Sequence, residues 1–135
     1  MIITPFDPTL DLIVVTATLW GPQGRYRDVQ VAVDTGAAMT LIIPEVIDEL
    51  GYSVRAAGKR TSIRSALGSE PGYVLRVAKF SALGYELPDF RMHVHDLADE
   101  YGLEGLIGLS FLHNFDYTVR SALGQLCVAP ASAVE

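Results

Sequence analysis

The sequence predicts a mainly β fold, and three observations predict it. Apolar residues come in short runs, at least one with two-residue alternation. Gly and Pro punctuate the gaps between these runs. Only two short stretches carry helix start and stop signals. The chain has 135 residues, 50% apolar and 19% charged. That suffices for one domain with a real core. We expect a single domain over residues 1–135, with its core in about 9–128.

Thr9 to Leu19 is rich in Leu, Ile, Val and Thr, which suit a pleated, half-buried backbone. Trp20-Gly21-Pro22-Gln23-Gly24 breaks it. From Arg25 to Val33, Arg27, Val29, Val31 and Val33 alternate with Tyr26, Asp28, Gln30 and Ala32, so the pair reads as a hairpin. Asp34-Thr35-Gly36-Ala37 leads into a second apolar strand, Met39 to Ile43. Pro44 suits the first turn of a short helix running to about Leu50, and Gly51 suits its stop. Lys59 to Ala66 and Tyr73 to Phe80 read as strands around the turn-rich Leu67 to Gly72, a projecting hairpin tip. A further strand pair breaks near Leu83-Gly84-Tyr85 and ends in Arg91 to His95. Asp96 to Glu104 is polar and reads as a loop with some helical turn. Ser110 is an expected N-cap for a short helix through Asn114. Tyr117 to Val119 and Gln125 to Val128 form an expected last hairpin.

Composition excludes several classes. A net charge of −6 disfavours a nucleic-acid surface, which needs clustered cations against phosphate. Arg55, Lys59, Arg60 and Arg64 form a basic cluster that reads as a solvated face. The apolar run Leu12 to Val15 is far short of the roughly 20 residues that span a bilayer. The N-terminus shows no signal peptide, and Cys127 has no second cysteine to pair with. A cytoplasmic location is expected.

Most familiar chemical motifs are missing. There is no phosphate-binding Gly-rich loop ending in Gly-Lys-Ser/Thr, and no dinucleotide fingerprint. Gly108-Leu109-Ser110 lacks the second glycine of a nucleophile elbow. His93 and His95 share a strand face without a third ligand at matched spacing. Cys127 reads as a small buried hydrophobe. There remains Asp34-Thr35-Gly36-Ala37, a carboxylate at a strand end followed by a tight turn whose N–H groups can orient it. Alone, the triplet is also ordinary turn chemistry.

Its context is more specific. Some seventy residues on, Leu106-Ile107-Gly108 forms an apolar-apolar-Gly strand end before a short helix, and the projecting hairpin lies between. This order resembles the retropepsin-like aspartic proteases, and Gly105 to Leu112 is similar to their Gly-Leu-Leu-Gly-x-x-Phe-Leu segment. The resemblance spans about Thr9 to Val128. It implies a closed acid-protease barrel with a flap hairpin and one or two short helices.

The resemblance also implies roles. Asp34 is the catalytic carboxylate. Thr35 grips the partner chain beneath the site, Gly36 brings an N–H to the carboxylate, and Ala37 lines the cleft. Thr40 matches a hydroxyl-bearing position, and Ile107 and Gly108 support the turn from behind. Ala66, Leu67, Gly68 and Ser69 belong to the flap. No metal and no cofactor are implied. Hydrolysis by a water between two carboxylates needs a second aspartate, and the sequence holds one Asp-Thr-Gly. The partner expected is therefore an identical chain in a two-fold dimer, acting on a peptide or protein. Two other readings stay open: a non-catalytic peptide-binding or dimerisation module of the same fold, and a small barrel with a chance Asp-Thr-Gly turn.

Overall fold

Ten strands and two short helices make up the computed structural model, which describes residues 1–52, 59–65, 68–97 and 102–131; of 59–65 and 68–71 only the backbone is described. The strands are β1 (Ile2–Pro5), β2 (Val14–Trp20), β3 (Tyr26–Val33), β4 (Leu41–Ile42), β5 (Lys59–Ser65), β6 (Gly68–Ala82), β7 (Tyr85–Val94), β8 (Gly105–Ile107), β9 (Phe115–Arg120) and β10 (Gln125–Pro130). The helices are α1 (Pro44–Glu49) and α2 (Leu109–Leu112).

Six strands close a barrel in the order β2-β3-β8-β4-β7-β6, with β6 returning to β2 through Thr18 to Trp20. β5 extends β6 outside the ring, and β1-β10-β9 form a second, antiparallel sheet. The mainly β, closed-barrel expectation therefore holds. The alternation in β3 holds up to Val31: Val29, Val31 and Val33 are buried and Asp28 and Gln30 exposed, while Ala32 on the opposite face is buried as well. Arg27, next on that face, reaches Glu49 at 3.0 Å and Glu104 at 2.5 Å.

Several expected boundaries move. Thr9 to Ile13 is not a strand, because the Asp7 carboxylate accepts both the Thr9 N–H (2.9 Å) and hydroxyl (2.7 Å) and fixes a turn there. Only Leu41–Ile42 of Met39 to Ile43 pairs as strand. Gly68 to Gly72 pair as strand rather than forming the tip. β6 already begins at Gly68, which pairs with Ser65, and Pro71 sits opposite Ser62. Of the expected flap residues, Ala66 and Leu67 lie outside the described residues, as does Arg55, while Gly68 and Ser69 belong to β6. Ile2–Pro5 pairs with Val128 to Gln125, an unforeseen strand. The β6–β7 turn carries Leu83 and Gly84 at φ 56° and 88°; two successive positive φ values match the twist of a tight hairpin. Among the described residues no helix is long and apolar enough to cross a membrane.

Aromatic rings join the parts of the core. Phe111 of α2, fully buried, meets Phe80 edge-on at 5.4 Å and Phe90 at 6.0 Å inside the barrel. It also meets Phe115 of the second sheet at 5.1 Å, and Phe115 packs on Tyr85 at 4.7 Å. One ring thus ties helix, barrel and outer sheet. Phe111→Ala is expected to cost about 3–5 kcal/mol, read from urea unfolding midpoints.

His93 is buried in β7, and its backbone N–H donates to the Thr40 carbonyl at 3.0 Å. Burial, with the Arg91 charge nearby, holds its imidazole below the usual range. As pH falls below about 6.5 the unfolded chain takes up this proton first. Stability therefore falls with acidification until the folded imidazole also titrates. His93→Gln is expected to lose less stability than the parent between pH 7 and pH 5 in parallel denaturant titrations.

Candidate active site

Asp34 stands where β3 ends, and its placement follows from strand order. β3 and β4 are consecutive in the chain but do not pair. β8 is inserted between them, parallel to β3 (Val33 opposite Ile107) and antiparallel to β4 (Leu41 opposite Leu106). The chain must therefore turn over the end of β8 to travel from β3 to β4, and Asp34-Thr35-Gly36-Ala37 makes that turn.

A ladder of short bonds fixes the turn. The Asp34 N–H donates to the Ile107 carbonyl at 2.9 Å, and the Ala37 N–H to the Asp34 carbonyl at 3.2 Å. The Gly36 N–H donates to Asp34 Oδ1 at 2.9 Å, orienting the carboxylate. Oδ2 has no hydrogen-bond partner among the described residues. Asp34, Thr35 and Gly36 are all exposed. The Thr35 hydroxyl likewise finds no partner among the described residues. The turn is thus rigid in its backbone and open in its side chains.

Support comes from beneath. Leu109 and Ser110, at the start of α2, donate their N–H groups to the Ala37 and Ala38 carbonyls at 2.8 and 3.0 Å. Gly108 lies against this segment so closely that a Cβ there would collide with the Met39 carbonyl oxygen and come within 2.7 Å of that of Ala37. Those are backbone atoms and cannot swing aside. Gly105, at the other end of β8, faces the Leu41 carbonyl as tightly, with Val31 Cγ1 at 3.2 Å from the same added carbon. Glycine at both ends lets β8 fit between its neighbours.

Thr40 completes the scaffold. It is only 1% exposed, and its Oγ1 accepts the Gly108 N–H at 3.2 Å and the Ser110 hydroxyl at 2.8 Å. Ser110 Oγ in turn accepts the Thr40 N–H at 2.9 Å. Ser110 is therefore not the N-cap expected of it. Gly108 holds that position without a side-chain bond, because the Ser110 hydroxyl is spent on Thr40.

The structure brings Asp34, Thr35, Gly36, Ala37, Ile107 and Gly108 together around one turn. Gly68 and Ser69 are placed on β6, in register with Ser65 and Arg64 of β5. Gly105 and the Thr40–Ser110 pair were missed as a unit. A glycine three residues before Gly108, framing a strand too short to hold a bend, is the signal that marks Gly105.

Family comparison agrees with this geometry. Residues 24–114 match the family described as "gag-polyprotein putative aspartyl protease", a span covering both Asp34 and Gly108. The chain belongs to this aspartyl protease family. No curated protein is detectably similar to it. Among solved structures, the retropepsin-like aspartic protease from Rickettsia conorii is similar with a TM-score of 0.65 and 20% identity, covering 93% of this chain and 95% of the other. EIAV protease complexed with the inhibitor HBY-793 is similar with a TM-score of 0.55 and 17% identity, covering 78% and 88%. At such identities these likenesses establish a shared retropepsin-like fold.

Thr40→Val keeps the shape but removes the hydroxyl acceptor, leaving the Gly108 N–H and the Ser110 hydroxyl of this retropepsin-like scaffold short of a partner. A loss of about 1–3 kcal/mol is expected, measured by urea unfolding. Gly108→Ala should destabilise by at least a similar amount.

Proposed function

We propose that this chain is an aspartic endopeptidase that works as a homodimer, with Asp34 of each chain contributing one carboxylate to a shared site. The observation that carries the reading is the Asp34 carboxylate itself. It is exposed, with one oxygen oriented by the Gly36 N–H and the other without a partner among the described residues. A turn braced so heavily for its backbone, yet presenting a carboxylate and a threonine hydroxyl to the outside, suits a surface completed by a second copy.

Two such carboxylates brought together cannot both ionise comfortably, so they share a proton and titrate as a pair. The ionised member takes a proton from the bound water as its oxygen attacks the peptide carbonyl carbon. The protonated member donates toward the carbonyl oxygen. On collapse of the tetrahedral diol the C–N bond breaks, the carboxyl that took the water proton passes it to the leaving nitrogen, and a diol hydroxyl returns its proton to the other carboxylate. Thr35, within the exposed turn, is assigned to hold the partner's matching turn. Ala37, half-buried beside Asp34, is assigned to the cleft wall. The β5–β6 hairpin, paired as far as Ser65 opposite Gly68, is assigned as the flap over an extended peptide. Apolar residues flanking the cleaved bond are the expected preference. A single cysteine, buried in β10, fits a reducing cytoplasmic setting.

Asp34→Asn tests this. It should abolish cleavage of an apolar peptide library, by at least about 100-fold, while leaving dimer mass and melting intact by light scattering and calorimetry. Full activity in that variant, or activity from a protein that stays monomeric, would sink the proposal. A dimeric parent that binds peptides and cleaves none across acidic and neutral pH would favour the non-catalytic module.

A further inference from the structure

A groove of about 540 Å³ runs along the flank of the barrel between β7 and α2. Met39, two residues beyond Ala37, lines it together with Ser110 and Asn114. Ser110 is the residue that braces the Asp34 turn from below, so groove and candidate site share a wall. Phe90 and Leu87 contribute apolar surface, while Arg76, Asp89, Arg91 and His93 contribute charge and polarity.

The charges do not cancel. Arg76 is engaged with Asp89: its Nη1 donates to the Asp89 carbonyl at 3.0 Å and lies 3.7 Å from the Asp89 carboxylate. Arg91, exposed on the same strand, has no carboxylate partner among the described residues. Beside it His93 is only 8% exposed, and its Nδ1 has no hydrogen-bond partner among the described residues. Burial and the Arg91 charge keep that imidazole neutral at neutral pH. Asn114 spends its Nδ2 on the Phe111 and Ser110 carbonyls at 2.9 and 3.4 Å. The groove therefore offers one uncompensated guanidinium, unpartnered imidazole polarity and an apolar floor. The chain's overall charge of −6 does not cancel this at contact, because distant carboxylates are screened beyond about 8–10 Å in physiological salt.

We propose that this groove is an accessory docking site for an acidic side chain of the peptide substrate, lying outside the residues that flank the cleaved bond, with its carboxylate on Arg91. The choice of occupant rests on the peptidase reading above. A peptide fits better than a free acid because the apolar floor gives the neighbouring residues a surface to cover, while Arg91 supplies the charge-assisted bond.

The test uses the Asp34→Asn dimer, so that binding is read without cleavage. Fluorescein-labelled peptides with an apolar centre carry one Glu, moved through the flanking positions, each beside its Gln counterpart. Fluorescence anisotropy should show one position at which Glu binds about tenfold tighter than Gln. Arg91→Gln should erase that preference and leave the Gln peptide unchanged, and Arg91→Lys should restore part of it. Arg76→Gln, which frees Asp89 to compete for Arg91, should also weaken it. Equal binding of Glu and Gln peptides at every position, or a preference that survives Arg91→Gln, would overturn the proposal. Glutarate at the peptide's concentration should leave the peptide bound; displacement would overturn a peptide as occupant in favour of a small dicarboxylate. Cleavage by the parent protein is scored separately. Cleavage without any Glu preference sinks the docking site alone, whereas neither cleavage nor binding of either peptide sinks both readings.

Discussion

Everything near Asp34 depends on how closely β8 can approach its two neighbours. β3 and β4 part to admit it, and the space they leave has no room for a side chain at either end of the inserted strand. Gly105 and Gly108 meet that constraint. Given the insertion, the chain must arch over the end of β8, and the arch is where the carboxylate stands. The catalytic candidate is thus a topological consequence: a residue at the top of an obligatory turn, held by backbone bonds from Ile107 below and from α2 behind.

The same insertion couples the site to the core. α2 begins at the residue after Gly108, so its position is inherited from β8. Its first N–H groups hold the turn while its Phe111 side chain fills the space between barrel and outer sheet. A four-residue helix has little stability of its own. Packing keeps it in place, and the Asp34 turn borrows that packing. The Thr40–Ser110 exchange works likewise, satisfying in a buried corner polar groups that would otherwise be costly.

The legible parts of the chain were those governed by local pattern. Alternation in Val29, Val31 and Val33 marked β3, Pro44 and Gly51 bracketed α1, and the order of Asp34-Thr35-Gly36 and Leu106-Ile107-Gly108 marked the candidate site. Misread segments were decided by longer-range or competing interactions. Asp7 outbid strand pairing at Thr9, and partner register carried β6 through Pro71 despite its turn-like composition. The Ser110 hydroxyl looked like a helix cap because the residue to which it is bonded, Thr40, is distant in sequence. Ile2–Pro5 became a strand because β10 offered it an edge.

The barrel is a hoop with a seam. β2 and β6 meet through only three residue pairs, Thr18 to Trp20 against Lys79 to Ser81. Beyond them the Tyr52 hydroxyl continues the join, donating to the Trp20 carbonyl at 2.6 Å and accepting the Ala78 N–H at 2.8 Å. A phenol there replaces a missing rung between strands. Closing this join brings together positions as far apart as Leu19 and Phe80, at a greater loop-closure cost than either flanking hairpin. The circularity of the barrel therefore rests on a short seam, and a single side chain finishes its rim.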